Sequence, residues 1–189
     1  MEILQAIRER CSTRRYLDEP LSEEELRTVL EAARLAPSGS NFRAAKLYVL
    51  RDKDRLRALN AAVLAAMKAG HAEGVAPERA AALDAESWCF YYGAPAVIVV
   101  TAPRGSYNAY SDTGCLLENA MLQAAALGLG SCWLNNLRRC QTDPGVLALL
   151  RRCGVGEDEL VTGALALGRS AVPLRPRADG AGNEIIWAD

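Results

Sequence analysis

The sequence predicts a helix-rich α+β fold with about four strands. Apolar runs of strand length stand near residues 46–50, 96–101, 130–134 and 160–167, and most stretches between them repeat apolar residues at helical spacing. The chain order of helix, helix, strand, helix, helix, strand, helix, strand, helix, strand is not a strict βαβ alternation, so no doubly wound sheet is inferred. No G-x-G-x-x-G follows a strand, because Gly128-Leu129-Gly130-Ser131 ends a helix instead of opening one.

The first helix is short and amphipathic, with Ile3, Leu4 and Ile7 on one stripe. Ser22 followed three residues later by Glu25 is a capping box for the second, which carries Leu26, Val29, Leu30 and Ala33 and ends before Pro37. Ser38-Gly39-Ser40-Asn41 is turn chemistry leading into a strand from Lys46 to Leu50. A third helix runs from about Lys53 to Met67, with Leu56, Leu59, Val63 and Met67 on one face and Gly70 as its stop. An Ala-rich helix over about Pro77 to Ser87 follows.

After Ala94-Pro95, the run Ala-Val-Ile-Val-Val-Thr has no polar residue before Thr101 and reads as a central strand buried on both faces. From Ser111 or Asp112 as N-cap to Gly128, a helix is apolar almost all round and reads as the core element. Gly130–Leu134 is a strand, Pro144 opens a small helix with Val146, Leu147, Leu149 and Leu150, and Leu160–Leu167 is the last strand.

At 189 residues the chain can bury roughly 70% of its unfolded surface without disulfides or a structural metal, so it reads as a single domain, 1–189, with 170–189 as a C-terminal tail. Its 22 basic and 23 acidic residues give a net charge of −1, which argues against a partner of the nucleic-acid class. The six cysteines form no C-x-x-C, the N-terminus opens on charged residues, and no apolar run reaches membrane length; a cytoplasmic protein with free thiols is expected. The single histidine, His71, leaves little for a Ser-His-Asp triad or a His-rich metal site.

Arg10-Cys11-Ser12-Thr13-Arg14 reads as extended, and period two then puts Arg10, Ser12 and Arg14 on one side. Two planar guanidinium forks flanking a hydroxyl suit a phosphate; the same residues also read as a solvated basic turn paired with Asp18 or Glu19. Pro37-Ser38-Gly39-Ser40-Asn41 allows close ligand approach with several hydrogen-bonding groups, or is simply a loop. Arg175 and Arg177 add cations on a stiff segment, or form an exposed basic tail. Trp88, Phe90, Tyr91 and Tyr92 read as core packing rather than a cofactor box.

In order along the chain stand Arg10-x-Ser12-x-Arg14, Ala36-Pro37-Ser38-Gly39-Ser40-Asn41, Tyr92-Gly93-Ala94-Pro95 before a strand, and Asp112 through Gly128-Leu129-Gly130-Ser131-Cys132-Trp133. This arrangement resembles the nitroreductase family of FMN-dependent oxidoreductases over nearly the whole chain. The resemblance implies a mostly antiparallel central sheet flanked by helices, and a homodimer with two FMN sites at its interface. It assigns Arg10, Ser12, Arg14 and Arg177 to the FMN phosphate, with Arg175 a weaker choice and Cys11 between the clamp residues. It also implies that Pro37, Ser38, Gly39, Ser40 and Asn41 reach the flavin from the partner subunit, and that the backbone of Leu134, Asn135 and Asn136 lies near the flavin N5 edge.

Two positions depart from the family pattern. Phe42-Arg43-Ala44-Ala45 stands where Gln-Pro-Trp is usual, and Cys11 stands where a basic or aromatic residue is usual. The implied activity takes electrons from NAD(P)H and reduces an electron-poor acceptor such as a nitroaromatic or a quinone by a ping-pong mechanism, with no catalytic side chain required. Reductive dehalogenation, flavin destruction and flavin sensing with little turnover are the alternatives that the same scaffold implies.

Overall fold

The computed structural model describes residues 2–175 and 182–188. Helices α1 (Ile3–Glu9) and α2 (Glu23–Arg34) precede strand β1 (Lys46–Leu50). Helices α3 (Lys53–Lys68) and α4 (Pro77–Ala81) lead to β2 (Ala96–Pro103), α5 (Ala109–Ala126) and β3 (Gly130–Leu134). Two short helices, α6 (Asn136–Arg139) and α7 (Pro144–Arg152), then precede β4 (Glu159–Gly168).

The four strands form one antiparallel sheet in the order β1-β2-β4-β3. Strand β2 is central, and its alternate residues enter two separate cores. Val97 and Val99 face α3 and α7 with Leu56, Leu59, Val63 and Leu150, while Ala96, Ile98 and Val100 face α2 and α5 with Val29, Ala33, Leu117 and Ala124. The apolar run from Ala96 to Val100 is what a sheet covered on both faces demands. One extra residue on β4, Thr162, makes a bulge opposite Val100, whose carbonyl accepts from the Thr162 hydroxyl at 3.2 Å.

The helix signals act as read. Ser22 Oγ accepts from Glu25 N–H at 3.1 Å, and the Glu25 carboxylate accepts from Ser22 N–H at 2.8 Å. Gly70 and Gly128 close α3 and α5 with φ of 77° and 71°.

Two expectations are corrected. Helix α4 stops at Ala81, not near Ser87, because Asp84 binds Glu86 N–H and Ser87 Oγ locally and competes with helical continuation. Helix α5 begins at Ala109; neither Ser111 nor Asp112 caps it, and Asp112 instead accepts from Gly39 N–H at 2.9 Å, tying a distant loop to the helix. As its reading as the core element expects, α5 is largely covered by α2, the sheet and α1, leaving Tyr110, Ser111, Cys115 and Glu118 exposed. Uncovered apolar surface lies elsewhere. The stripe of α1 faces solvent, Ile3 being 76% exposed, as do Phe42, Ile185, Ile186 and Trp187.

Candidate active site

Segment 10–14 runs along the outer edge of β3. Ser12 bridges to Ser131 in the parallel sense, and Thr13 N–H donates to the Ser131 carbonyl at 2.9 Å. The segment therefore extends the sheet at an edge that would otherwise carry unpaired groups. Its alternation follows period two: Thr13 is buried, while Ser12 and Arg14 are exposed. Arg10 lies mostly covered, with Nε 3.7 Å from Glu118 on α5. The basic-turn alternative named Asp18 and Glu19 as partners; they pair instead with Lys53 and Arg169.

Close packing fixes this segment against the sheet. A Cβ placed on Gly130 would stand 2.6 Å from Thr13 Oγ1 and 2.9 Å from its Cβ, and a buried β-branched side chain has little freedom to yield. Gly130→Ala is expected to push residues 12–14 off β3 and destabilise the protein by about 1–3 kcal/mol, the usual range for overpacking. Faster hydrogen exchange at the Thr13 amide and a lower Tm check it; an unchanged Thr13 amide would show that the contact relaxes without displacing the segment.

Arg14 projects into a cleft of ≈ 1080 Å³ between residues 74–93 and the β3–α6 junction. Its guanidinium lies 6.0 Å from the Tyr92 ring centroid, within cation–π range. Tyr92 first, then Cys132, raises its pKa further, so Arg14 stays charged. The Cys132 thiol beneath it is pushed up by burial, against the pull of Arg14, and stays in the poorly nucleophilic protonated form at neutral pH. Burial likewise raises the pKa of the Tyr16 phenol.

The opposite wall is the loop 88–93. Trp88, Phe90 and Tyr92 line the cleft, although Phe90 also belongs to the core, so the aromatic group serves both purposes. Asn60 on α3 holds this loop with two bonds: its Nδ2 donates to the Trp88 carbonyl at 3.1 Å, and its Oδ1 accepts from Phe90 N–H at 2.9 Å. Tyr92 has φ of 56°, uncommon for a bulky residue, and Gly93 continues in the left-handed region at 74°. No sequence pattern marks Asn60 or the Tyr92 conformation; only the Tyr92-Gly93 pair hinted at a turn.

At the floor, Trp133 Nε1 donates to Asn135 Oδ1 at 3.1 Å, and Asn135 and Asn136 line the cleft. Leu134 turns its side chain into the core, which leaves only its backbone near this junction. Arg139 on α6 also lines the cleft, unforeseen because α6 itself carried no sequence signal.

Pro37–Asn41 is not brought to this cleft within the chain. Pro37 and Ser38 line a separate cavity of ≈ 220 Å³ with Arg34, Arg43, Asp112 and Leu116. Gly39–Asn41 is a single 3-10 turn, and Ser40, Asn41 and Arg43 have φ of 52°, 57° and 50°. Three left-handed residues in four positions are strained, and the strain is held by Asp112 on Gly39 N–H and by Ser38 Oγ on Arg43 N–H at 3.0 Å. Arg43 Nε donates to Asn41 Oδ1 at 2.9 Å, so the residue replacing the usual family motif is folded back onto its own loop. Cys11 is half-buried, Arg175 is exposed, and Arg177 lies outside the described residues.

Residues 7–169 match the sequence pattern of the nitroreductase family. The chain belongs to that family. A nitroreductase of Bacteroides fragilis, crystallised with bound FMN, superposes with a TM-score of 0.88 at 31% identity over 100% of both chains. A second FMN-bound nitroreductase, from Desulfitobacterium hafniense, gives 0.84 at 26% identity, again over 100% of both. The chloronitrobenzene nitroreductase of Comamonas testosteroni is 29% identical over 161 residues, 67% of this chain and 70% of that protein. An Archaeoglobus fulgidus relative with the provisional name NADH dehydrogenase/NAD(P)H nitroreductase is 28% identical over 171 residues, 88% of this chain and 84% of its own. The α+β antiparallel architecture is that of nitroreductases.

Proposed function

We propose that this nitroreductase-family protein binds FMN at the 10–14 segment and cleft, takes electrons from NAD(P)H and reduces an electron-poor acceptor such as a nitroaromatic or a quinone. The observation that carries the reading is the exposure of Ser12 and Arg14 along the β3 edge, with Arg14 lining a cleft large enough for a flavin and walled by aromatic rings. This donor set fits a terminal phosphate. Two guanidinium forks and a hydroxyl lie along one extended segment, and among the described residues the only carboxylate paired with them, Glu118, leans on Arg10.

FMN, when bound, supplies the electron-carrying chemistry, alternately reduced by the donor and reoxidised by the acceptor. The chain's part is binding and electrostatics. Arg10, Ser12 and Arg14 would hold the phosphate, Trp133 and the backbone of residues 134–136 would border the ring edge, and Trp88, Phe90 and Tyr92 would exclude water from its face. Among the described lining residues there is no histidine, and flavin-borne electron transfer requires no side chain of the cleft as nucleophile or base.

A homodimer is part of the proposal. Its support is the exposed apolar stripe of α1 with Phe42 and the Ile185–Trp187 segment, together with a strained, hydrogen-bonded 38–43 loop that faces away from its own chain's cleft. Such a loop is available to complete the site of a second copy.

The purified protein is expected to be yellow, with close to one FMN per chain. NADH or NADPH added without oxygen should bleach the flavin band, and a nitroaromatic or a quinone should restore it. A colourless protein that takes up no FMN on reconstitution contradicts the reading.

A further inference from the structure

The cleft carries a charge imbalance that a single phosphate clamp does not use. Three guanidinium groups line it against one carboxylate, Asp84: Arg14, which the clamp uses, and Arg79 and Arg139, which it does not. Asp84 is engaged in its own turn, accepting from Glu86 N–H at 3.1 Å and Ser87 Oγ at 2.7 Å. Ser87 first, then Glu86 N–H, holds its carboxyl below the ordinary range.

Arg14 belongs to the 10–14 segment and stacks on Tyr92. Arg139 gives one Nη to the Gly74 carbonyl at 3.0 Å, which leaves the rest of its fork free to bind. Arg79, exposed on α4, makes no ion pair or hydrogen bond among the described residues. Nearby acids do not neutralise them: Glu73 pairs with Arg138 at 3.7 Å, and Glu78 does not line the cleft. At ≈ 1080 Å³ the cleft matches the upper end of the roughly 300–1,000 Å³ that small-ligand sites occupy, which leaves room for a second ligand beside a flavin.

We propose that Arg79 and Arg139 form an anion-selecting rim, so that the substrate taken into this cleft carries a phosphate monoester or a carboxylate set apart from its reacting group. The inference rests on the flavin reading above and deepens it by naming the substrate class. Planar guanidinium forks pair with either anion, and aromatic walls accept the uncharged ring. The anion has two possible sources: the extra phosphate that distinguishes NADP⁺ from NAD⁺, or a carboxylate on the acceptor.

Isothermal titration of the flavin-loaded protein separates them, with two pairs of probes that do not react with oxidised flavin: NADP⁺ against NAD⁺, and 4-nitrobenzoate against nitrobenzene. The anionic member of one pair is expected to bind about tenfold more tightly, a ratio that should shrink as salt rises. R79Q should cut that ratio to about threefold or less with flavin content unchanged, and R79K should retain most of it. A ratio in the first pair assigns the anion to the electron donor, and in the second pair to the acceptor; either supports the proposal. Equal affinities within both pairs, or a ratio that R79Q leaves unchanged, overturns it. If the parent protein binds no flavin, the flavin reading fails, while the NADP⁺ and NAD⁺ titrations still decide the rim.

Discussion

Arg14→Ala is expected to weaken FMN binding about tenfold or more, the equivalent of one charged hydrogen bond of roughly 1.5–3 kcal/mol. Its guanidinium is exposed at the cleft and forms no ion pair among the described residues, so its charge is available to a ligand. Arg10→Ala should lose less. Arg10 is only 12% exposed in its side chain and leans on Glu118, and part of its charge is therefore already compensated. Fluorescence titration of the deflavinated variants with FMN measures both, while thermal melting of the flavin-free proteins should move little. Parent-like affinity in Arg14→Ala would reduce this residue to a stacking partner of Tyr92.

Glu159→Leu is expected to destabilise the fold by about 2–3 kcal/mol through stranded buried donors. The Glu159 side chain is 2% exposed and accepts from Thr101 Oγ1 at 2.5 Å, Tyr48 Oη at 2.9 Å and Lys46 Nζ at 2.5 Å. The Thr101 hydroxyl is fully buried and would lose this acceptor. Lys46, 61% exposed, can return to water, so Lys46→Ala should matter much less.

The same cluster sets a pH dependence. Burial alone would raise the Glu159 pKa, but the bonds from Lys46, Thr101 and Tyr48 outweigh it and leave the carboxyl below its ordinary value. A depressed folded pKa contributes stability that is present above the unfolded value, near 4.3, and lost as pH falls through the lower folded value. Glu159→Gln should therefore flatten the acid limb of a stability curve measured by urea unfolding below about pH 5. An acid limb as steep as the parent's would place the titrating groups elsewhere.

Much of the frame was legible because it rests on local signals. Ser22 and Glu25 sit three residues apart and need only each other to start α2. The β-branched run after Pro95 could be buried on both faces only in the middle of a sheet, and that is where β2 lies. The alternation that exposes Ser12 and Arg14 and buries Thr13 likewise follows from extended backbone. Asp112 misled because a short carboxylate before an apolar run serves equally as a helix cap or as an acceptor for a distant amide. The sequence offers no measure of where Gly39 will be. The girth of α5 did not mislead: apolar residues all round a helix demand cover on most sides, and α5 lies in the core.

The sequence by itself determined the four strands and the longer helices, the two-faced central strand, the family and the alternation along segment 10–14, because each depends on period, capping or motif order. Tertiary structure alone decided that Arg10 meets Glu118, that Asn60 holds the 88–93 loop, that Pro37–Asn41 opens on a different cavity from Arg14, and that Arg79 and Arg139 share one cleft. These are contacts between residues tens of positions apart. Which cation meets which anion, and which wall faces which, depends on how the sheet and its two helical layers dock, and no local preference of the chain encodes that distance.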